Sequence, residues 1–175
     1  MTIKQGSMRE VVSNIYQLLI NDEQLLRLLW YKPQQLDGID PLDGMNIPNV
    51  GLLDVKDMAD YWDIVNNRIM LAEKENDLLE CPICRLYISA GRRRPVFNNY
   101  LLATQEIVIS MYVHEDYEMD MRSAWISDRI NELIALEYVE GAMNQRMEFV
   151  AGNARVAPIQ YRRYDLIFEY TASKK

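Results

Sequence analysis

Apolar residues recur every third or fourth position through Val11, Val12, Ile15, Leu18 and Leu19, the spacing of one helix face. Ser7 and Glu10 stand at the S-x-x-E spacing of a capping box. Asn21-Asp22 predicts a break and a second cap. Leu25, Leu26, Leu28 and Leu29 then lead to Trp30, and Pro33 ends the run. Residues 31–56 have no periodicity. Pro33, Gly38, Pro41, Gly44, Pro48 and Gly51 are interspersed with Asp37, Asp40 and Asp43, which predicts a long loop. Its scattered Leu42, Ile47, Val50, Leu52 and Leu53 predict that it is laid down on protein, where it could embrace a neighbour. Tyr61, Trp62, Val65 and Ile69 then predict a short helix over 58–72.

From Ile83 the period changes to two. Leu86 and Ile88 alternate with Tyr87 over a strand at 83–90, Gly91 stops it, and Arg92-Arg93-Arg94-Pro95 forms a basic turn. A second strand, 105–113, has Ile107, Ile109, Met111 and Val113 on one face and Val108, Ser110 and Tyr112 on the other. An acidic segment from His114 to Asp120 opens a helix carrying Trp125, Ile126, Ile130, Leu133, Ile134 and Tyr138, which Gly141 ends. Its early acids Glu118 and Asp120 suit the positive end of a helix dipole. A strand at 146–150, a turn at Gly152-Asn153, a last strand at 162–170 and a polar tail at 171–175 complete the chain.

The pattern defines an α+β fold: a small, mostly antiparallel sheet packed by a helix of the C-terminal half, with an N-terminal helical extension and long loop. The division expected is 1–79 for the extension and 80–175 for the core. Val108, Tyr112 and Ile167 demand cover for the second sheet face, and the N-terminal helices are the expected cover.

Composition narrows the function. Of 175 residues, 49% are hydrophobic and 26% charged, enough for a core without disulfide or metal staples. Lys and Arg number 19 against 26 Asp and Glu, a net charge of −7, which argues against nucleic-acid wrapping as the main task. No apolar run is long enough to span a bilayer, and the first residues lack a signal-peptide core, so a soluble, non-secreted chain with no membrane partner is expected. Cys81 and Cys84 form a lone C-x-x-C, with His114 as one further candidate ligand. A closed zinc site needs four ligands, so a reduced packing pair is expected, with a zinc-stapled regulator and a redox pair as rivals.

No nucleophile elbow, phosphate loop or H-E-x-x-H appears, and a single histidine supports no triad. Catalytic residues, metal ligands and cofactors are all expected to be none. Asp116 and Glu118 could do acid–base work in a cleft, which keeps a small carboxylate- or metal-dependent hydrolase as the rival of another class. The charged features left are Arg92, Arg93 and Arg94 and the acids Glu115, Asp116, Glu118 and Asp120. A solvated hairpin loop and a local contact with nucleic acid are open readings of the arginines; arginine forks also match carboxylates, which makes these two sets a candidate pair across a subunit contact. Ten methionines and eleven tyrosines add residue types common at interfaces.

The run Cys84-Arg85-Leu86-Tyr87-Ile88, the basic turn, the strand from Gln105 to His114 and the Arg-bearing helix from Asp120 to Ile134 follow one another in a characteristic order. In that order, over residues 80–170, the chain resembles the tail terminator and head–tail joining proteins of tailed bacteriophages; residues 1–79 extend beyond the likeness. The resemblance implies a homo-oligomeric ring, usually a hexamer, that caps the tail tube. One face would meet the tail tube protein and the other the head-completion or connector protein. Genome DNA would pass through the lumen without sequence-specific binding. It also implies a place in the virion neck, after assembly in the host cytoplasm. A head-completion or adaptor protein is the neighbouring alternative, and the strands weigh against it because adaptors are more helical.

Overall fold

The computed structural model describes residues 7–33, 53–79, 81–137, 139 and 146–173. Helix α1 (Ser7–Ile20) is followed by α2 (Glu23–Trp30). The break falls where the sequence places it: Asp22 is extended and accepts a hydrogen bond from the Leu25 amide at 2.7 Å, satisfying a donor that the first turn cannot pair internally. Helix α3 (Tyr61–Arg68) runs directly into the short β1 (Ile69–Met70). Strands β2 (Cys84–Val96) and β3 (Asn99–His114) form a long hairpin. A 3-10 turn, Glu115–Asp120, leads into α4 (Arg122–Ile134), and β4 (Glu148–Arg155) and β5 (Tyr161–Ser173) end the fold.

The five strands stand in the order β1-β2-β3-β5-β4. Only the β1–β2 pair is parallel; the rest of the sheet is antiparallel. This is the α+β fold that the alternating and helical patterns imply.

One sheet face carries Leu86, Ile88, Ile107, Ile109, Met111, Val113, Leu166 and Phe168, all in one core with Val11, Ile15 and Leu19 of α1, the four leucines of α2, Ile64 and Val65 of α3, and Ile126, Ile130 and Ile134 of α4. Burying each such side chain contributes about 1.5–3 kcal/mol, which holds the helices to the sheet. Side chains from both sides of the 79/80 division meet in this core.

The N-terminal helices therefore share the face that α4 covers, and do not cover the second one. The opposite face is covered in part by the segment that follows β1: Leu78 packs with Tyr87, Tyr112 and Tyr161, and Asp77 and Glu73 bind Arg85 and Tyr112, while Val108 and Ile167 stay half-buried. Helix stripes as apolar as those of α1 and α2 need the wholly apolar face. The second face, with Arg85, Ser110, Arg163 and Asp165, needs hydrogen-bond partners instead.

Other expectations shift at their boundaries. β2 does not stop at Gly91. It runs through all three arginines to Val96, and the turn is Phe97-Asn98, where Asn98 has φ 60°. A bulge between Ala90 and Arg93 breaks the two-residue period, which is why the strand reads as a turn. Gly91 is required there because a Cβ would lie 2.7 Å from that of Glu106. β4 likewise passes through Gly152 and Asn153 with its own bulge, and the turn comes after it, with Gln160 at φ 70°. The 58–72 helix is only Tyr61–Arg68. α4 starts at Arg122, after Glu118 and Asp120, and ends at Ile134. The central part of the predicted long loop, 34–52, and the positions Tyr138 and Gly141 lie outside the described residues.

Candidate assembly interface

The two charged sets singled out by sequence stand at opposite ends of β3. Arg93 is opposite Gln105 and Arg94 opposite Thr104, whereas Glu115 follows His114 at the other end. Within one chain they do not meet.

On the arginine side, the Glu106 carboxylate accepts a hydrogen bond from the Arg92 amide at 3.0 Å. The Arg94 guanidinium donates to Glu169 and lies 3.5 Å from Glu106. Arg92, Arg93 and Arg94 are all exposed.

On the acidic side most groups already have partners. Glu115 is exposed, and its amide donates to the Gln160 carbonyl at 2.9 Å. Asp116 pairs with Lys32 at 2.8 Å, and this hydrogen bond holds its carboxyl below the usual range. His114 Nδ1 accepts from the Asp116 amide at 3.1 Å, which makes the histidine a cap for the 3-10 turn. Glu118 accepts from the Ser123 amide at 3.1 Å and hydroxyl at 2.5 Å, so it caps α4 from outside, and Arg162 lies 3.3 Å from it. Asp120 is buried, 2.8 Å from Arg122.

Arg122 is a side chain that sequence reasoning did not single out. It is fully buried, and its fork divides between two elements. Nε and Nη2 donate to Asp120, while Nη1 donates to the carbonyls of Leu28 at 2.5 Å and Tyr31 at 2.6 Å. Those carbonyls belong to the end of α2, where the helix leaves acceptors without internal partners. Arg122 thus ties the N-terminal helices to the start of α4. The signal was present in the sequence: Arg122 is in phase with Ile126, Ile130 and Ile134, so it enters the apolar stripe. A second tie is Asp22, whose carboxylate receives Arg129 of α4 at 2.5 and 3.0 Å.

The second sheet face holds a further network. Arg85 binds Asp77 through two nitrogens at 2.7 and 3.2 Å and the Asn67 carbonyl at 2.8 Å. Tyr112 donates toward Glu73 at 2.5 Å and toward Glu75, and receives Arg163 at 2.5 Å. Burial, then the two carboxylates, push the Tyr112 hydroxyl upward. Period-two spacing of Arg85 with Tyr87, and of Ser110 with Tyr112, was the available signal for this polar face.

Hydrogen bonding to Arg85, aided by Lys74, lowers the Asp77 carboxyl to about 2. The unfolded chain therefore takes up this proton near pH 4, before the folded chain does. The stabilisation is complete above pH 4 and is lost as pH falls toward 2. Partial exposure of the pair limits it to about 1 kcal/mol. Asp77→Asn is expected to lower the urea midpoint at pH 6, with the gap to the native protein closing between pH 4 and 2. A gap that stays constant over that range would rule out this linkage.

Cys81 is exposed and Cys84 buried; burial raises the Cys84 thiol to about 12, so it stays protonated at neutral pH. Among the described residues no group of three or more His, Cys, Asp or Glu is placed to hold a metal ion, and no helix is long and apolar enough to cross a membrane.

Fold and charge together define a class: an α+β domain with helices on one sheet face, a polar second face, and exposed charge along its edges. The family model YomW matches residues 22–170, and the chain belongs to the YomW family. It is 28% identical, over 94% of its length and 97% of the relative's, to the SPbeta prophage-derived uncharacterized protein YomW of Bacillus subtilis (strain 168). Its fold is similar to that of a chain in the virion of a native gene transfer agent particle, with a TM-score of 0.55 and 14% identity over 98% of this chain and 100% of that one.

Proposed function

We propose that this protein is a non-enzymatic structural component of a phage virion, and specifically the tail terminator of the neck. In this reading it forms a hexameric ring that caps the tail tube and joins it to the head connector, with genome DNA passing through the lumen. The observation that carries the reading is end-to-end agreement with the fold of a virion chain, in company with a prophage-derived relative of matching length. The terminator-like order of strands and Arg-bearing helix supports the finer assignment. The charge budget fits it as well: Arg85, Arg122, Arg129 and Arg163 bind carboxylates of their own chain and brace the fold. Net negative charge suits a lumen that must release DNA.

The test is disruption of the gene in an inducible prophage. Filled heads and unjoined tails are expected, with joining restored by the purified protein, and labelled copies are expected at the head–tail junction in electron micrographs. Normal joined particles made without the protein would overturn the assignment.

A further inference from the structure

Among the described residues, two strands leave a hydrogen-bonding edge open. β1 pairs with β2 only at Leu86 and Tyr87, so among the described residues the outer edge of β2 over 88–96 has no strand partner. At the other end of the sheet, β4 has β5 as its one strand partner among the described residues, on its inner side. Such edges present unpaired N–H and C=O groups and are templates for another strand.

The directions of the two edges are complementary. From β2 through β3 and β5 to β4 every pairing is antiparallel, so β4 runs opposite to β2. Copies related by rotation about one axis would set β4 of one antiparallel to β2 of the next, with neither copy inverted. A contact between two different edges repeats head to tail and can close into a ring.

Charge falls at matching heights. Glu148 is opposite Glu169, and Glu169 opposite Glu106. Glu106 lies between the partners of Ala90 and Arg93, at the bulge that holds Arg92. One row across the sheet thus runs from Glu148 on one edge to Arg92 on the other. Rotation without rise brings groups at one height together. Glu148, Arg92 and Arg93 are exposed, and among the described residues their side chains have no hydrogen bond or ion pair. Beside Glu148, Phe149 and Val150 remain 44% and 47% exposed and offer apolar area to a neighbour.

The β2 edge is also selective. β1 blocks its lower part, and the bulge, Pro95 and three arginines make it a poor template for indiscriminate pairing. Like charge rejects a second β2, whereas a strand that begins with an acid is accepted.

We propose that β4 of one copy adds antiparallel to the 88–96 edge of β2 in the next, with Glu148 set against Arg92, on the face that Glu106 and Glu169 share. This rests on the ring reading above and names the contact that builds the ring. The acid is Glu148, at the height of the arginines, in place of the Glu115–Asp120 segment at the far end of β3.

The test is native mass measurement on the full chain, alone and with tail tubes. The wild type is expected to form a closed ring, and Glu148→Arg and Arg92→Glu to lose at least tenfold in assembly while keeping the wild-type circular dichroism. An equimolar mixture of the two is expected to re-form rings of even copy number, because alternation restores opposite charge at every contact. The milder Glu148→Gln and Arg92→Gln variants, which avoid like-charge strain, are expected to weaken the ring and flatten its salt dependence. Wild-type rings from every variant would overturn the edge contact and leave the ring reading standing. Loss with Glu148→Arg alone would overturn it in favour of β4 against β4, Glu148 facing Arg155. A wild type that stays monomeric even on tail tubes would overturn both.

Discussion

Replacing Arg122 with methionine is expected to remove about 3–5 kcal/mol of folding free energy, the loss typical when one member of a buried ion pair is deleted. Methionine is close in length and fills most of the space, so the loss reports on polar groups more than on packing. Three acceptors lose their donor at once: the Asp120 carboxylate, itself 4% exposed, and the carbonyls of Leu28 and Tyr31. Each buried acceptor left unpaired costs about 1–3 kcal/mol, and the terms overlap because they share one fork. Arg122→Lys is expected to lose nearly as much, since one ammonium cannot reach a carboxylate and two carbonyls in a planar fork. The double variant Arg122→Met/Asp120→Asn is expected to recover part of the loss by removing the buried charge, and to leave the part owed to the α2 carbonyls. Urea midpoints with unchanged slopes measure all three. A loss under about 1 kcal/mol for Arg122→Met would show that the clamp does not hold α2 to α4.

Helix stripes and strand faces were legible because burial imposes a period on the sequence. The sequence marks Asp22 as a cap, and it is one; Ile107, Ile109, Met111 and Val113 fall on one face by period, and they share the core. What the sequence hid was wherever a bulge shifts the phase. At Gly91-Arg92 and between Phe149 and Ala151 one strand inserts a residue, and a glycine beside the shift imitates a turn. Both strands therefore read too short, and the pattern predicts a loop for arginines that line an edge. The faces were assigned correctly, but not what covers them. Nothing local says which helices lie over which face, because that depends on which surface offers hydrogen bonds and which offers only methyl groups.

The candidate site was legible in part for a related reason. Runs of like charge, such as Arg92-Arg93-Arg94, are conspicuous in sequence. A lone Glu148 is not, and its significance comes from the row it shares with Glu169, Glu106 and Arg92 across three strand pairings. Conversely, the conspicuous acids Glu118 and Asp120 serve the fold, one capping α4 and the other holding Arg122. Charge density in sequence marks exposure well and partners poorly, because partners are set by register between segments far apart in the chain.

Phe168 and Phe149 separate burial from aromatic contact. Their rings meet edge to face, 5.6 Å between centroids, on neighbouring strands. Phe168 is fully buried in the main core, opposite Ile107 on its other side, while Phe149 is 44% exposed on the edge strand. Phe168→Ala is expected to cost about 3–5 kcal/mol, because the cavity lies between β3, β5 and the helices and cannot collapse from any side. Phe149→Ala removes the same ring pair but opens toward solvent, so about 0.5–1.5 kcal/mol is expected. Urea unfolding at protein concentrations too low for assembly compares the two without contribution from a neighbouring copy. Equal losses would mean that the ring contact, and not enclosure by the helices, carries the stability of this part of the sheet. A loss at Phe149 that appears only at assembling concentrations would instead locate that ring in a contact between copies, as pairing through the β4 edge requires.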